Sequence, residues 1–222
     1  MDMSLVAAVK QYSAGLLRDG EPGRLHMTRD RALQVNDRTA LVDMWTRDGR
    51  VFVTNNPVIG QPETMSANGT AVTLTAPSIR FTVPRGGLVV PIHVKLKTAT
   101  VIAKTDIFAV LASEGDSYTS GGDTVLMTAQ NAFVQSAAGL RSAGVENLHY
   151  SDAAIVEAAL TRPRLRKIEK RQGQAAELDT SFNPEYNILK GDPMVYLEGP
   201  ASFLVWHVQE TTAAEDEWSM SW

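Results

Sequence analysis

The chain has 222 residues, 44% of them hydrophobic, so it is long and apolar enough to bury a substantial core and is not a disordered chain. Its net charge of −4 argues against a general nucleic-acid binder, because neutralising phosphates requires a concentrated cationic surface. The absence of cysteine excludes disulfide bonds, thiolate metal sites and a cysteine nucleophile.

Residues 1–39 are predicted to form an N-terminal arm. The mildly apolar stretch Ser4–Leu17 is interrupted by Gly15 and followed by the Gly- and Pro-containing run Arg18–Gly23. Met1–Ser4 lacks the basic start of a secretory signal, so we expect folding in a cytoplasm. Because the arm has too little apolar content for its own core, we expect it to become ordered on a neighbouring protein. The arm residues expected to make that contact are Leu5, Val9, Leu16, Leu17 and Arg18.

Residues 40–222 are predicted to form one β domain, beginning with a hairpin. Its two strands would be Ala40–Thr46 and Arg50–Thr54, joined at Arg47–Gly49, where Asp-Gly supplies the positive φ of a tight turn. The following residues, up to Gly69, are predicted to be loop.

The clearest periodicity lies between Ile79 and Leu96. Apolar and polar residues alternate on both sides of Pro84–Gly87, which predicts two half-buried antiparallel strands around a turn. One face is expected to pack on the core: Ile79, Phe81, Val83, Val90, Ile92, Val94 and Leu96.

Further strands are predicted along the second half of the chain. Lys104–Ser113 is apolar on successive residues and should be central in its sheet, whereas the type of Thr124–Gln135 stays undecided. After Ser151, which can cap a helix, a short helical insertion is predicted, with Ala153, Val156 and Leu160 on one stripe and Pro163 ending it. The last predicted strands are Met194–Leu197, Ser202–Gln209 and Trp218–Trp222, and the last of these should be paired.

This succession of strands without helices between them predicts an all-β fold and excludes βαβ units. A basic run, Arg162–Arg171, holds six basic residues and one acidic residue, Glu169. Such a run is either a solvated face or a contact surface for an acidic partner. In the second reading the contacting residues are Arg164, Arg166, Lys167, Lys170 and Arg171.

No catalytic or cofactor site is predicted. The four histidines, at 26, 93, 149 and 207, do not cluster, and the chain has no G-x-S-x-G elbow and no phosphate-binding loop. Asp116 and Asp123 flank a polar loop but lack the spacing of a calcium-binding hand. The four tryptophans are expected to serve packing more than sugar stacking. We therefore expect a protein that is not an enzyme and carries no metal or cofactor.

Three segments together resemble the jelly-roll structural proteins of tailed bacteriophage virions, especially capsid decoration (cement) proteins. They are Ser13–Gly20, Ile79–Gly87 leading into Val90–Leu96, and Gly191–Trp206. The resemblance implies a jelly-roll-like sandwich that forms a homotrimer, binds the major capsid protein and stabilises the shell. It places the protein on the capsid surface of a virion assembled in the host cytoplasm, with neither a membrane nor a specific nucleic acid as partner.

Two alternatives stay open at this point. A phage tail or receptor-binding module could use the same sandwich fold to bind carbohydrate. A β-sandwich hydrolase or cupin-like enzyme ranks last, since a cupin would need a second histidine two residues after His93, where this chain has Lys95.

Overall fold

The computed structural model describes residues 26–27, 33–34, 38–56, 61–65, 70–98, 105–124, 130–132, 144–150, 155–172, 182–210 and 215–222. The chain divides into two compact units, residues 1–41 and 42–222. In the first unit, β1 (His26–Met27) pairs antiparallel with β2 (Leu33–Gln34). The boundary between the units falls within helix α1 (Arg38–Arg47).

Strands are the main regular elements in the described part of the second unit. Its first strands are β3 (Phe52–Asn55), β4 (Glu63–Thr64), β5 (Ile79–Val83), β6 (Leu88–Val89), β7 (His93–Thr98), β8 (Thr105–Glu114), β9 (Tyr118–Ser120) and β10 (Asp123–Thr124). They are followed by β11 (Gln130–Asn131), β12 (Glu146–Tyr150), β13 (Val156–Glu157), β14 (Thr161–Gln172), β15 (Glu185–Asn187), β16 (Leu197–Glu198), β17 (Ala201–Gln209) and β18 (Glu215–Ser221). A 3-10 turn, Ile188–Lys190, follows β15.

Two antiparallel sheets form the second unit. Sheet I has the order β10-β12-β5-β17-β8-β14, and sheet II has the order β11-β3-β18-β7-β15 with β4 also paired to β18. The described strands also form two small ribbons, β9 with β13 and β6 with β16. Side chains from both sheets share one hydrophobic core, so the fold is an all-β antiparallel sandwich.

The core is dense in aromatic residues. The ring of Phe81 stacks on Phe203 at 5.2 Å and on Trp222 at 5.8 Å between ring centroids. A second, smaller cluster lies on the outer face of sheet I, where Ile107, Ala109, Leu111, Leu204, Trp206 and Val208 are buried. Because β8 and β17 are covered on both faces, their sequences are almost continuously apolar and do not alternate.

The predicted core face between Ile79 and Leu96 is confirmed. Six of its seven residues are buried in the main core, and Val90 packs against it partly buried. Two other expectations were wrong, namely that these two strands pair with each other and that the first of them is half-buried. All five residues of β5 are buried, and β5 and β7 belong to different sheets. Polar Arg80 and Thr82 on its other face are covered by other segments, which a period of two cannot reveal.

The predicted hairpin at Arg47–Gly49 was wrong, because the first of its strands is helix α1. Val42 and Trp45, three residues apart, pack on the core, and Arg47 pairs with Asp43 one turn earlier at 3.0 Å. Gly49 adopts a φ of 68° and ends the helix: its N–H donates to Thr46 O, and the N–H of the next residue donates to Trp45 O. A helix C-cap and a hairpin turn both need positive φ, so Asp-Gly alone did not separate them.

The predicted helical insertion after Ser151 is contradicted where the structure describes it. Residues 151–154 lie outside the described part of the chain, and Val156–Glu157 form β13. The N–H of Glu157 donates to Thr75 O and that of Ala158 to Ser117 O, so these amides bond distant segments instead of a helical turn. Pro163 lies within β14 and ends no helix.

Other strand predictions have mixed outcomes. The central strand is confirmed as β8, between β17 and β14, and the strand over residues 202–209 as β17. The C-terminal strand is confirmed and paired, since β18 lies between β3 and β7. Of Met194–Leu197 only Leu197 is strand. The undecided segment Thr124–Gln135 contains the end of β10 and all of β11.

Candidate interaction surface

Strand β14 carries the basic run and lies at one end of sheet I. It pairs with β8, and no described strand pairs with its other edge. The register of this pairing shifts between Thr161 and Arg164 and again between Leu165 and Lys167. Pro163 offers no N–H there. Charges, proline and bulges are devices that keep an edge strand from pairing at random. The first half of β14 is thus irregular, whereas Lys167–Gln172 runs in unbroken register.

Apolar side chains accompany the charges on this strand. Leu165 is opposite Leu111 and Ile168 is opposite Ala109, so both lie on the outer face of sheet I. Leu165 is 54% exposed and Ile168 is 56% exposed. The buried outer face of the sheet therefore ends in two exposed aliphatic residues among cations, a composition found at protein interfaces.

One of the basic residues is already bound. Lys167 Nζ lies 2.9 Å from both a Glu169 and an Asp192 carboxylate oxygen, and Asp192 also accepts the N–H of Asn187. Burial acts to lower the pKa of Lys167, but the hydrogen bonds to the two carboxylates outweigh it and raise that pKa above its usual value. Lys167, predicted as a partner contact, thus ties β14 to the segment after β15.

The remaining predicted basic contacts keep most of their charge available. Arg164 and Lys170 are exposed and form no ion pair with any described carboxylate. Arg162, at the start of β14, pairs with Glu114 at 3.3 Å, both side chains being largely exposed, so this pair contributes little to stability. Arg166 is half-buried, and Arg171 is on the strand but its side chain lies outside the described residues. The five predicted arm contacts, Leu5, Val9, Leu16, Leu17 and Arg18, also lie outside them and stay predictions.

Two cavities meet at Tyr196, which sequence reasoning did not single out. One, of about 340 Å³, is mainly apolar and includes Trp45, Leu88 and Trp222 in its lining. The other, of about 190 Å³, has both charged and apolar residues in its lining, and the charged ones are Arg162, Arg164, Arg166, Glu114 and Glu198. Tyr196 lines both and is 62% exposed. No sequence signal marks it, because its neighbours come from segments far apart in the chain.

A buried ionic network fixes the β9–β13 ribbon to the outer face of sheet I. Arg80, fully buried on β5, contacts Glu157 at 2.7 Å and Asp116 at 2.9 Å, and its guanidinium lies 4.6 Å from the Tyr118 ring centroid. Ser117 donates to the second Glu157 oxygen at 2.6 Å. Burial raises the pKa of Glu157, although the Ser117 hydrogen bond and the Arg80 charge oppose it. Arg80 and Glu157 are fully enclosed, so this ion pair offers no access to a substrate.

A second buried cluster joins the two sheets. His207 of β17 contacts Asp216 of β18 through Nδ1 at 2.5 Å and lies 3.8 Å from Asp106 of β8, with all three side chains fully buried. The centroid of the Phe182 ring lies 5.6 Å from that of the His207 ring. A catalytic histidine needs contact with its substrate, so this enclosed position indicates a structural role for His207.

Within the described ranges, no group of three or more histidine, aspartate and glutamate side chains is placed to hold a metal ion. The described helix is too short and too polar to cross a membrane. A comparison of the chain with family models, with curated proteins and with solved structures finds no match.

Proposed function

We propose that the second unit is a jelly roll. Eight strands, β3, β5, β7, β8, β14, β15, β17 and β18, are taken as first to eighth along the chain. Their antiparallel pairs are then first with eighth, second with seventh, third with sixth and fourth with fifth. Sheet II has the order first-eighth-third-sixth and sheet I second-seventh-fourth-fifth. Two interlocked Greek keys wound into a roll generate this nested pairing.

We further propose that this protein is a virion structural protein that binds the major capsid shell and stabilises it, as a decoration or cement protein. Jelly rolls recur in viral capsid proteins, although a fold alone never determines a function. The observation that carries the proposal is the cationic edge strand β14, on which exposed Leu165, Ile168 and Lys170 lie on the outer face of sheet I. Exposed Arg164, opposite Ala112 of the main core, lies on the other face, and neither Arg164 nor Lys170 is paired with a described carboxylate.

The charge of β14 indicates the kind of partner. Pairing with a second β14 would place like charges opposite one another, which destabilises a strand pair. An acidic surface on a shell protein is complementary, and its attraction would speed encounter and weaken with salt. The complete chain has a net charge of −4, so this local cationic surface contrasts with the molecule as a whole.

The homotrimer belongs to the same proposal. A closed cyclic assembly would cover strand edges and apolar side chains that a single chain leaves exposed. Its test is the mass of the purified full-length protein by light scattering at several micromolar concentrations. The value expected is about three times the 24.1 kDa of one chain, and a single-chain mass throughout would contradict it.

Binding to shells tests the function directly. The protein is mixed with shells assembled from the major capsid protein of the same virus, and co-sedimentation is measured at several salt concentrations. In the test variant Arg164 and Lys170 become Gln, which leaves the Lys167–Asp192 contact intact. The matched control changes Arg85 and Lys95 to Gln, since both are exposed and lie outside β14. Both variants lose two positive charges.

Saturable binding is expected for the wild type and the control. The β14 variant should bind more weakly at low salt, and its binding should depend less on salt, because fewer charges take part. Equal loss in both variants would mean that only net charge matters and would contradict a specific role for β14. No sedimentation of the wild type with intact shells under any condition would refute the capsid proposal.

A further inference from the structure

We propose that the two cavities on either side of Tyr196 form one docking site for an extended acidic and apolar segment of a partner protein. A carboxylate of that segment would enter the arginine-lined cavity, and a bulky apolar side chain would enter the aromatic cleft. The inference rests on the proposed function in one respect, because it takes the major capsid protein of the shell as the source of this acidic and apolar segment.

The arginine cavity is suited to a single carboxylate. Arg162 is paired with Glu114, whereas Arg164 and Arg166 form no ion pair with a described carboxylate. The Nε of Arg166 is enclosed and has no hydrogen-bond partner among the described residues. A buried donor without a partner is costly, and arginine with a carboxylate forms the strongest of the common hydrogen bonds. A ligand carboxylate in the cavity would pair with the Arg164 and Arg166 guanidinium groups, which no described carboxylate neutralises.

The composition of this cavity also limits the ligand. Glu114 and Glu198 line it together with the three arginines, so the lining has a net excess of only one positive charge. A continuous phosphate backbone would place several negative charges against these two glutamates. One carboxylate between Arg164 and Arg166 avoids that repulsion. The observations therefore favour an acidic protein segment over a nucleic acid.

The aromatic cleft supplies the apolar half of the site. Leu88, 65% exposed, and Tyr196, 62% exposed, border a depression whose floor includes the buried residues Phe52 and Trp222. Tyrosine, tryptophan and arginine are the residues that most often dominate binding energy at protein interfaces, especially around a fillable pocket. Among the described residues of the lining only Arg50 carries a charged side chain, so these residues offer few polar groups to orient a sugar.

Nuclear magnetic resonance titration of the full-length protein tests the site. The probes are terminally blocked peptides in which one leucine and a Glu-Asp pair are separated by different numbers of glycines, in both orders. Two control peptides replace Glu-Asp by Gln-Asn or leucine by alanine. The reporters are the indole N–H signals of Trp45 and Trp222 and the Nε–H signals of Arg164 and Arg166.

At least one peptide is expected to shift both the indole and the arginine signals at saturation. Each control peptide should bind about tenfold more weakly, as should the parent peptide to the variant Tyr196→Ala. Leu74→Ala, which removes another exposed apolar side chain, should leave affinity unchanged. Thermal unfolding of Tyr196→Ala should match the wild type, because the side chain is mostly exposed.

Several results would overturn the inference. One is that every peptide shifts the arginine signals but not the indole signals, and another is that Tyr196→Ala binds the parent peptide as tightly as the wild type does. A third is that an oligothymidine strand binds as tightly as the peptide. The last is that an oligosaccharide shifts the indole signals although no peptide does. Shell sedimentation separates this inference from the proposed function. If Tyr196→Ala sediments like the wild type while the Arg164 and Lys170 variant does not, the docking site is refuted and the capsid proposal stands. If the peptides bind at Tyr196 but the wild-type protein sediments with no shell, the capsid proposal is refuted and the docking site stands.

Discussion

The buried pair of Arg80 and Glu157 offers the sharpest test of the stability argument. Both side chains are fully buried and 2.7 Å apart. Changing Arg80 to Met keeps the aliphatic stem but leaves a carboxylate in the interior with, among the described residues, only the Ser117 hydroxyl as donor. Removing one partner of a buried ion pair costs about 3–5 kcal/mol, a large part of the roughly 5–15 kcal/mol that stabilises a typical domain. The Asp116 contact adds little, since that side chain is 42% exposed.

Urea unfolding followed by tryptophan fluorescence measures this loss. The double variant Arg80→Met with Glu157→Gln keeps an acceptor for Ser117 and removes the isolated charge, so it should be more stable than Arg80→Met alone. The two changes should therefore be non-additive by more than about 1 kcal/mol. The control Arg85→Met alters an exposed arginine and should stay within about 0.5 kcal/mol of the wild type.

The pH dependence gives an independent check. Burial raises the pKa of Glu157 in the folded protein, so its contribution to stability is largest below the ordinary carboxyl pKa and declines as pH rises through the folded value. Without Arg80 the folded pKa rises further, so the penalty of Arg80→Met should be largest near neutral pH and shrink as pH falls through the raised folded values toward the ordinary carboxyl pKa of 4.5. A loss under about 1 kcal/mol that does not vary with pH would refute this account of the network.

Two further predictions concern the core and the surface. Phe81→Ala should cost about 3–5 kcal/mol in urea unfolding, because the ring is fully buried between Phe203 and Trp222, and an unchanged melting temperature would contradict the assigned register. Stability should also fall in two steps on acidification. Burial lowers the pKa of His93, so stability is lost below about pH 6.5, and hydrogen bonding to Lys190 lowers the pKa of Glu185, so more is lost below about pH 4.5. Thermal unfolding across this range should show that His93→Gln removes the first step only, and a first step that persists in that variant would contradict the assignment.

Local alternation proved informative wherever one face of a strand meets the core. The core residues from Ile79 to Leu96 follow from their spacing, as does the paired C-terminal strand, since burial on one face imposes a period of two on the sequence. The continuous apolar run of β8 likewise indicated a central strand. These properties depend on neighbours within the same strand.

Errors arose where one sequence signal serves two structures. Asp48–Gly49 fits a hairpin turn and a helix C-cap equally, and only the packing of Val42 and Trp45 on the core decides for the helix. The stripe Ala153, Val156 and Leu160 has helical spacing. Glu157 nevertheless lies in a strand, where its carboxylate pairs with Arg80, 77 positions earlier in the numbering. Such a long-range ion pair outweighs local propensity and leaves no trace in the spacing.

By itself the sequence determined the all-β class, the main core face and the concentration of positive charge on one segment, because each depends on residues close together in the chain. Only the tertiary structure decided that this segment is the edge strand of sheet I, that Lys167 is held by Asp192, and that Tyr196 lies between an apolar cleft and an arginine-lined cavity. These features join segments far apart in sequence. The free energy of such contacts depends on distance and burial after folding, which composition and periodicity do not encode.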